Sequence, residues 1–250
     1  RRFRILVIGR ANAGKTTILQ RLCNTMDQPE ISDGEGRKVC CVKPAIDCIQ
    51  RGYHEIEDEL VFGSNPRFVF HDSCGFEYGS EEQFQKMKEF VMDRASTPDL
   101  NKRIHAIWFC IPLTDSHRMV MTAERRFFDE CYTGHVPVIV LLTKADTLEL
   151  DVIERLEELE NTGLTSDEVM ERTAEVEREM LNRHLSRVRE MLGALRFPPC
   201  VIAGMQDENA DCTGLLTCTA NALSEDGLQK LLISTQQSNL ALCIEFAVMK

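Results

Sequence analysis

Short apolar runs alternate with stretches of helical spacing along the whole chain. Phe3–Ile8 is apolar nearly throughout and stops at Gly9, as a strand buried on both faces does. Lys15–Met26 then places Ile18, Leu19 and Leu22 on one helical face. Asp27–Arg51, with Pro29, Gly34, Gly36 and Pro44, reads as loop. Tyr53–Phe62 alternates like an edge strand, Asn65-Pro66 marks a turn, and Arg67–Asp72 is the next strand. Ser80 can cap a helix running to about Arg94. Arg103–Pro112 is a strand, a helix follows around His117–Cys131, and Val136–Leu142 is the most apolar strand of all.

The segment 147–193 reads as two helices broken at Gly163. Ser166 caps the second, whose positions Val169, Thr173, Val176 and Met180 recur every three to four residues. Pro199–Met205 is a last strand, and Asp211–Met249 has helical spacing. Strands alternating with helices predict an α/β fold with a mostly parallel sheet between helices. The whole chain, 1–250, reads as one domain. Residues 147–193 are a charged helical insertion before the last strand, and 211–250 a C-terminal helical segment.

The 250 residues suffice for a full core. No apolar run approaches the roughly 18 residues of a bilayer span, so no membrane segment is expected within the chain. The first residue is Arg1 rather than Met, and the chain stops in a helical pattern at Lys250. A fragment of a longer protein is therefore expected, and an anchor beyond residue 250 stays open. The net charge of −11 speaks against nucleic acid as a partner. Thr147–Glu190 holds 13 acids and 6 bases, so most of that excess sits in the insertion. Eleven scattered Cys, without a C-x-x-C pair, read as reduced thiols and a cytoplasmic protein. Six His (54, 71, 105, 117, 135, 184) lack metal-site spacing and read as structural.

Three strings carry chemistry. Gly9-Arg10-Ala11-Asn12-Ala13-Gly14-Lys15-Thr16 is G-x-x-x-x-G-K-[ST], after a strand and opening a helix. Its glycines let the backbone curl so that N–H groups face phosphates, and the helix N-terminus adds positive potential. Lys15 would reach the β- and γ-phosphates, and the Thr16 hydroxyl would ligate Mg²⁺. Thr17 follows in the same first turn. The second string, Asp72-Ser73-Cys74-Gly75, ends an apolar strand. There Asp72 is the second Mg²⁺ candidate, and the Gly75 N–H would meet the γ-phosphate. The third, Thr143-Lys144-Ala145-Asp146, ends the most apolar strand. A carboxylate at Asp146 can accept the N1 and N2 hydrogens of guanine, which adenine cannot match. Lys144 would lay its stem across the base.

With these strings in order, the chain resembles a translation-factor-class GTPase of the Era/septin-like kind. Within that class it is similar to G-domain proteins of mushroom-forming fungi. The blocks RGYHEIEDELVF, FVFHDSCGFEYGSEE, HAIWFCIP and VPVIVLLTKAD carry the likeness, over about residues 1–146. The resemblance implies a Ras-like P-loop fold with a six-stranded sheet, GTP and GDP as ligands, and Mg²⁺-dependent hydrolysis. It implies nucleotide contacts from Gly9, Asn12, Ala13, Gly14, Lys15, Thr16, Thr17, Asp72, Gly75, Thr143, Lys144 and Asp146. Of these, Lys15 and Gly75 would serve the reaction itself. Members with G-x-P-N-x-G-K-S hold K⁺ through the Asn equivalent to Asn12, so K⁺ is a further candidate. The alternative for Asn12 is a loop cap that bonds backbone. A homodimer through this domain is a further candidate; the charged insertion 147–193 reads most simply as a solvated helical hairpin, with a surface for a protein partner as the alternative.

The chain departs from the family pattern in three places. No Thr lies between Thr25 and Thr97, so the first switch, expected near Pro44–Arg51, lacks its hydroxyl. Phe76 follows Gly75 where Ras-like enzymes place a water-orienting Gln. Thr217-Cys218-Thr219-Ala220 faintly resembles a fifth guanine motif. Leu216, Thr219, Ala220 and Leu223 have helical spacing instead, which favours a helix and leaves 205–211 as the base-contacting loop. Arg10 and Arg51 could act as arginine fingers in cis, though a surface Arg is the default. The reading is therefore a GTP-hydrolysing switch; the alternative is a GTP-binding scaffold with little or no hydrolysis.

Overall fold

The computed structural model describes residues 1–39, 55–73, 81–114, 122–160, 166–193, 195–207 and 210–235. In chain order the elements begin with β1 (Phe3–Gly9), α1 (Lys15–Leu22), β2 (Glu30–Ser32), β3 (Glu59–Val61) and β4 (Phe68–Asp72). There follow α2 (Glu81–Ser96), β5 (Ala106–Pro112), α3 (Thr122–Glu130) and β6 (Val138–Thr143). After a 3₁₀ turn at Ala145–Thr147 come α4 (Leu148–Glu160), α5 (Ser166–Leu192), β7 (Cys200–Val201), α6 (Thr213–Ala222) and α7 (Asp226–Thr235).

The strands form one sheet in the order β2-β3-β4-β1-β5-β6-β7. From β4 to β7 every pairing is parallel; β2 with β3 and β3 with β4 are antiparallel. Among the described residues, seven strands stand where six were expected. The additional one is β2, three residues inside the stretch read as loop, and too short to show a period. β1 explains the architecture. Phe3, Ile5 and Val7 enter one core with α1, α6 and α7, while Leu6 and Ile8 enter the other with α2, α3 and α5. Each such aliphatic side chain contributes roughly 1.5–3 kcal/mol when fully buried. Trp108 of β5 donates its indole N–H to the Thr219 hydroxyl at 3.1 Å, which ties α6 to the sheet centre.

Several boundaries differ from the expected ones for local reasons. α1 ends four residues before Met26, because Asn24 turns left-handed at φ 55° and the Thr25 N–H bonds the Gln20 carbonyl. β3 begins at Glu59, since the Asp58 carboxylate accepts the Glu55 N–H and closes a turn there. β7 keeps two residues between Pro199 and the left-handed Gly204. The helical stretch from Asp211 is broken at Leu223, whose carbonyl accepts the Gln229 side-chain amide at 2.9 Å. Residues 236–250, where that stretch was expected to continue, lie outside the described residues.

In the insertion, α4 and α5 pack against each other. Val152 and Val176 are buried, whereas Ile153 remains 50% exposed. Val188 and Leu192, near the end of α5, join the main core. No helix among the described residues is long and apolar enough to cross a membrane.

Candidate functional site

Parallel pairing brings the carboxyl ends of β1, β4, β5 and β6 to one edge of the sheet. Val7 pairs with Asp72, Gly9 with Cys110, and Pro112 with Thr143. The three strings therefore meet, although they lie far apart in the chain.

Gly9 is demanded by packing. A Cβ there would stand 2.7 Å from the Cys110 carbonyl oxygen and 2.9 Å from its Cβ. Burial behind the loop pushes the Cys110 thiol up to about 12, so it stays neutral. Beyond Gly9 the chain turns through exposed Ala11 and Asn12 and returns at buried Ala13, whose N–H bonds the Arg10 carbonyl at 3.2 Å. Asn12 and Gly14 are left-handed, at φ 58° and 82°. Gly14 starts α1 with no side-chain cap, and no acid lies in the first turn. The amide groups around Lys15, Thr16 and Thr17 thus open a helix N-terminus suited to an anion.

The Lys15 ammonium arches back over its own loop. It donates to the carbonyls of Gly9 at 2.7 Å and Arg10 at 3.0 Å, and stands 3.8 Å from an Asp72 carboxylate oxygen. Asp72 is 6% exposed, at the end of β4. Arg10 is neither a surface residue nor free to swing as a finger. It is 5% exposed and pairs at 3.0 Å with fully buried Glu124 of α3. The carboxamide of Asn12 forms no hydrogen bond among the described residues, which lends the loop-cap alternative no support there. What its position requires is the left-handed backbone that Asn tolerates. Gly75, Phe76, the 44–51 segment and Arg51 lie outside the described residues.

The third string closes on itself and on the first. The Thr143 hydroxyl donates to the Ala13 carbonyl at 2.7 Å. Lys144 is left-handed at φ 57°, and its carbonyl accepts the Thr147 hydroxyl at 2.6 Å. Asp146 accepts the Gly204 N–H at 3.2 Å, and the Ala145 N–H bonds the Ile202 carbonyl at 3.1 Å. The loop after β7 thus lies beside Asp146, beginning at 202 rather than 205. Thr217–Ala220 is helical within α6, as its spacing predicted. Glu124, Arg21 and Gly204 join the site only in the folded chain. An acid in a helix, an Arg near a helix end and a Gly in a loop carry no signal until the chain is folded.

Two buried histidines lie below this edge. His71 is pushed down to about 3 by burial first, then by the Arg4 and Arg94 cations. His105 is pushed down to about 4 by burial and Arg103; it accepts the Arg4 N–H at Nδ1 and faces the Leu100 carbonyl through Nε2. Both have the structural character expected of them. Cys23, Cys110, Cys131, Cys200, Cys212 and Cys218 are free thiols.

The sheet order, the phosphate-type loop opening α1 and the T-K-A-D loop beside it define a P-loop GTPase. The model of the 50S ribosome-binding GTPase family matches residues 4–144, and the chain belongs to that family. No curated protein matches it. Among solved structures, the crystal structure of a mutation variant of SsGBP is similar at 14% identity and a TM-score of 0.42. That match covers 96% of this chain, which spans 58% of the SsGBP chain.

Proposed function

We propose that this chain binds GTP with Mg²⁺ and hydrolyses it to GDP and phosphate, acting as a molecular switch. The observation that carries the reading is the meeting of Lys15 and Asp72 at 3.8 Å, inside a loop that Thr143 fastens to the T-K-A-D string. Lys15 would exchange its two carbonyl partners for β- and γ-phosphate oxygens, holding positive charge where negative charge develops. Gly9, Ala13, Gly14 and Thr17 would present backbone N–H groups to the phosphates. Asp146, oriented by the Gly204 N–H, keeps acceptor capacity for the guanine N1 and N2 hydrogens. Lys144 would cover the base.

The oxygens of Thr16 and Asp72 are hard donors that suit Mg²⁺, and Asp72 sits buried at the phosphate-type loop, 3.8 Å from the Lys15 ammonium. These two residues would hold the ion, which supplies neutralisation of phosphate charge. In the reaction itself, water attacks the γ-phosphorus in line. A P–O bond forms to that water while the bond to the β–γ bridging oxygen breaks, GDP leaves, and the proton lost by the water passes to a phosphate oxygen and then to solvent.

The absence of a switch Thr between Thr25 and Thr97, together with Phe76, favours the second reading: a scaffold that holds GTP with little turnover. Single-turnover hydrolysis at low and high protein concentration separates the two. Phosphate release within minutes supports the enzyme; intact GTP after hours supports the scaffold. Acceleration at high concentration alone supports a homodimer through this domain. Repeating the assay in KCl and NaCl tests K⁺, for which the exposed Asn12 carboxamide is the ligand in view; equal rates would remove it. A protein partner on 147–193 is supported by exposed Ile153 within an acidic helical pair. A cytoplasmic site of action rests on the cysteine pattern.

A further inference from the structure

Arg21 lies on the last turn of α1, and nothing in the three nucleotide strings includes it. Each of its three guanidinium nitrogens has a partner. Nε donates to the Met205 carbonyl at 3.0 Å and Nη2 to the Gln206 carbonyl at 3.1 Å, while Nη1 meets the Met26 sulfur at 3.1 Å. Consecutive carbonyls of one loop are thus gripped by the planar fork that Arg alone among side chains carries. That loop is the one whose Gly204 N–H holds Asp146. Between the two grips it turns through left-handed Gly204 at φ 65°, and the Asp207 N–H closes on the Gly204 carbonyl at 2.9 Å. One tight turn is therefore held at two places: at its first residue, Gly204, by Asp146 on the β6 side, and at its two middle carbonyls, Met205 and Gln206, by Arg21 on the α1 side.

The other end of α1 carries Lys15 and Thr16. Six helical steps lead from Lys15 to Arg21, a rigid spacer of about 9 Å. The same helix thus sets the phosphate loop at its start and the base-side loop at its end. We propose that Arg21 is a positioning residue for base recognition, clamping 202–207 so that Asp146 and this loop stay set for guanine. By that role it governs both the residence time of bound nucleotide and the preference for the guanine 2-amino group. The inference rests on the assignment of Asp146 as the guanine acceptor.

The experiment compares the parent chain with Arg21→Ala, Arg21→Lys and Asp146→Asn. Fluorescent GDP release is followed by stopped flow, and GDP, IDP and inorganic tripolyphosphate compete for the site. IDP lacks the 2-amino group, and tripolyphosphate reports on the phosphate end alone. Arg21→Ala and Arg21→Lys are both expected to release GDP at least tenfold faster and to lose several-fold of the GDP-over-IDP preference, with tripolyphosphate affinity unchanged. The Lys variant shares the defect because its single nitrogen, on a shorter and flexible stem, lacks the two separately placed, coplanar donors that meet the Met205 and Gln206 carbonyls.

If Arg21→Ala keeps the parent release rate and GDP:IDP ratio while Asp146→Asn changes its selectivity, the clamp is wrong and the base assignment stands. If Asp146→Asn leaves selectivity untouched, the base assignment falls and takes the clamp with it. Loss of tripolyphosphate binding in Arg21→Ala would reduce Arg21 to a general structural role. Parent-like release by Arg21→Lys would likewise overturn the bidentate grip.

Discussion

The hydroxyl of Thr143, at the end of β6, donates to the carbonyl of Ala13 in the phosphate-type loop at 2.7 Å. Both residues are buried, and 130 positions of sequence separate them. One hydrogen bond thus joins the loop that would face the phosphates to the loop that would face the base. Thr143→Val keeps the shape and removes the donor, stranding a buried carbonyl at a cost of about 1–3 kcal/mol. A lower urea midpoint and weaker GDP binding are expected together, with recovery of both in Thr143→Ser. Parent-like binding in the Val variant would show that the two loops keep their registry without this bond.

Lys15→Ala should act on ligand far more than on fold. The ammonium bonds two carbonyls of its own loop and stands 3.8 Å from Asp72, and no apolar contact of either core cluster depends on it. Charge-assisted bonds to phosphate contribute about 1.5–3 kcal/mol, so GTP affinity should fall roughly ten- to hundredfold. Calorimetric titration gives the affinity, and the melting temperature without nucleotide should stay close to the parent's. Undiminished GTP binding would overturn the phosphate role of this lysine.

The Arg10–Glu124 pair is the loop's other fastening, and it is buried on both sides. Truncating one partner leaves a charge without its counterion in the interior, which costs about 3–5 kcal/mol. Glu124→Leu should therefore lower the urea midpoint sharply. Adding Arg10→Met to it should recover much of the loss, since an apolar pair can replace a buried ionic one. A double variant no better than the single would show that the cost lies in packing rather than charge.

Stability should fall in mild acid, and the sign follows from two histidines. His71 and His105 are held at about 3 and about 4 in the folded chain, against an ordinary 6.5. Below pH 6.5 the unfolded chain binds protons that the folded one refuses. Their stabilisation is complete above pH 6.5 and is lost as pH falls toward 4. With both groups titrating only when unfolded, the slope approaches about 2.7 kcal/mol per pH unit. Urea midpoints between pH 7 and 5 measure it, and His105→Gln should roughly halve the slope. An unchanged slope in that variant would place the acid sensitivity elsewhere.

Parts of the fold were legible because local chemistry dictates them. Phe3–Ile8 and Val136–Leu142 read as doubly buried strands, since a central parallel strand has no solvent face to encode. The G-x-x-x-x-G-K-T string needs its glycines wherever it occurs, and here the Gly9 Cβ position is closed by Cys110. β2, three residues inside a stretch rich in Pro and Gly, was not legible, being too short to alternate. β3 and β7 were legible as strands but not in extent, since only three and two residues of the predicted runs pair. The break at Leu223 depends on Gln229 reaching back to its carbonyl, which no propensity announces.

By itself, then, the sequence determined the alternation of buried strands and amphipathic helices, and the residue types of the three strings at strand ends. These follow from burial and backbone geometry within a few residues. Tertiary structure alone decided which distant groups meet: Thr143 with Ala13, Arg10 with Glu124, Asp146 with Gly204, and Arg21 with the carbonyls of Met205 and Gln206. Such pairs depend on sheet order and on the angle of each helix over it. Those are set by how whole faces pack, and a face is the sum of many side chains. No single position along the chain carries that information.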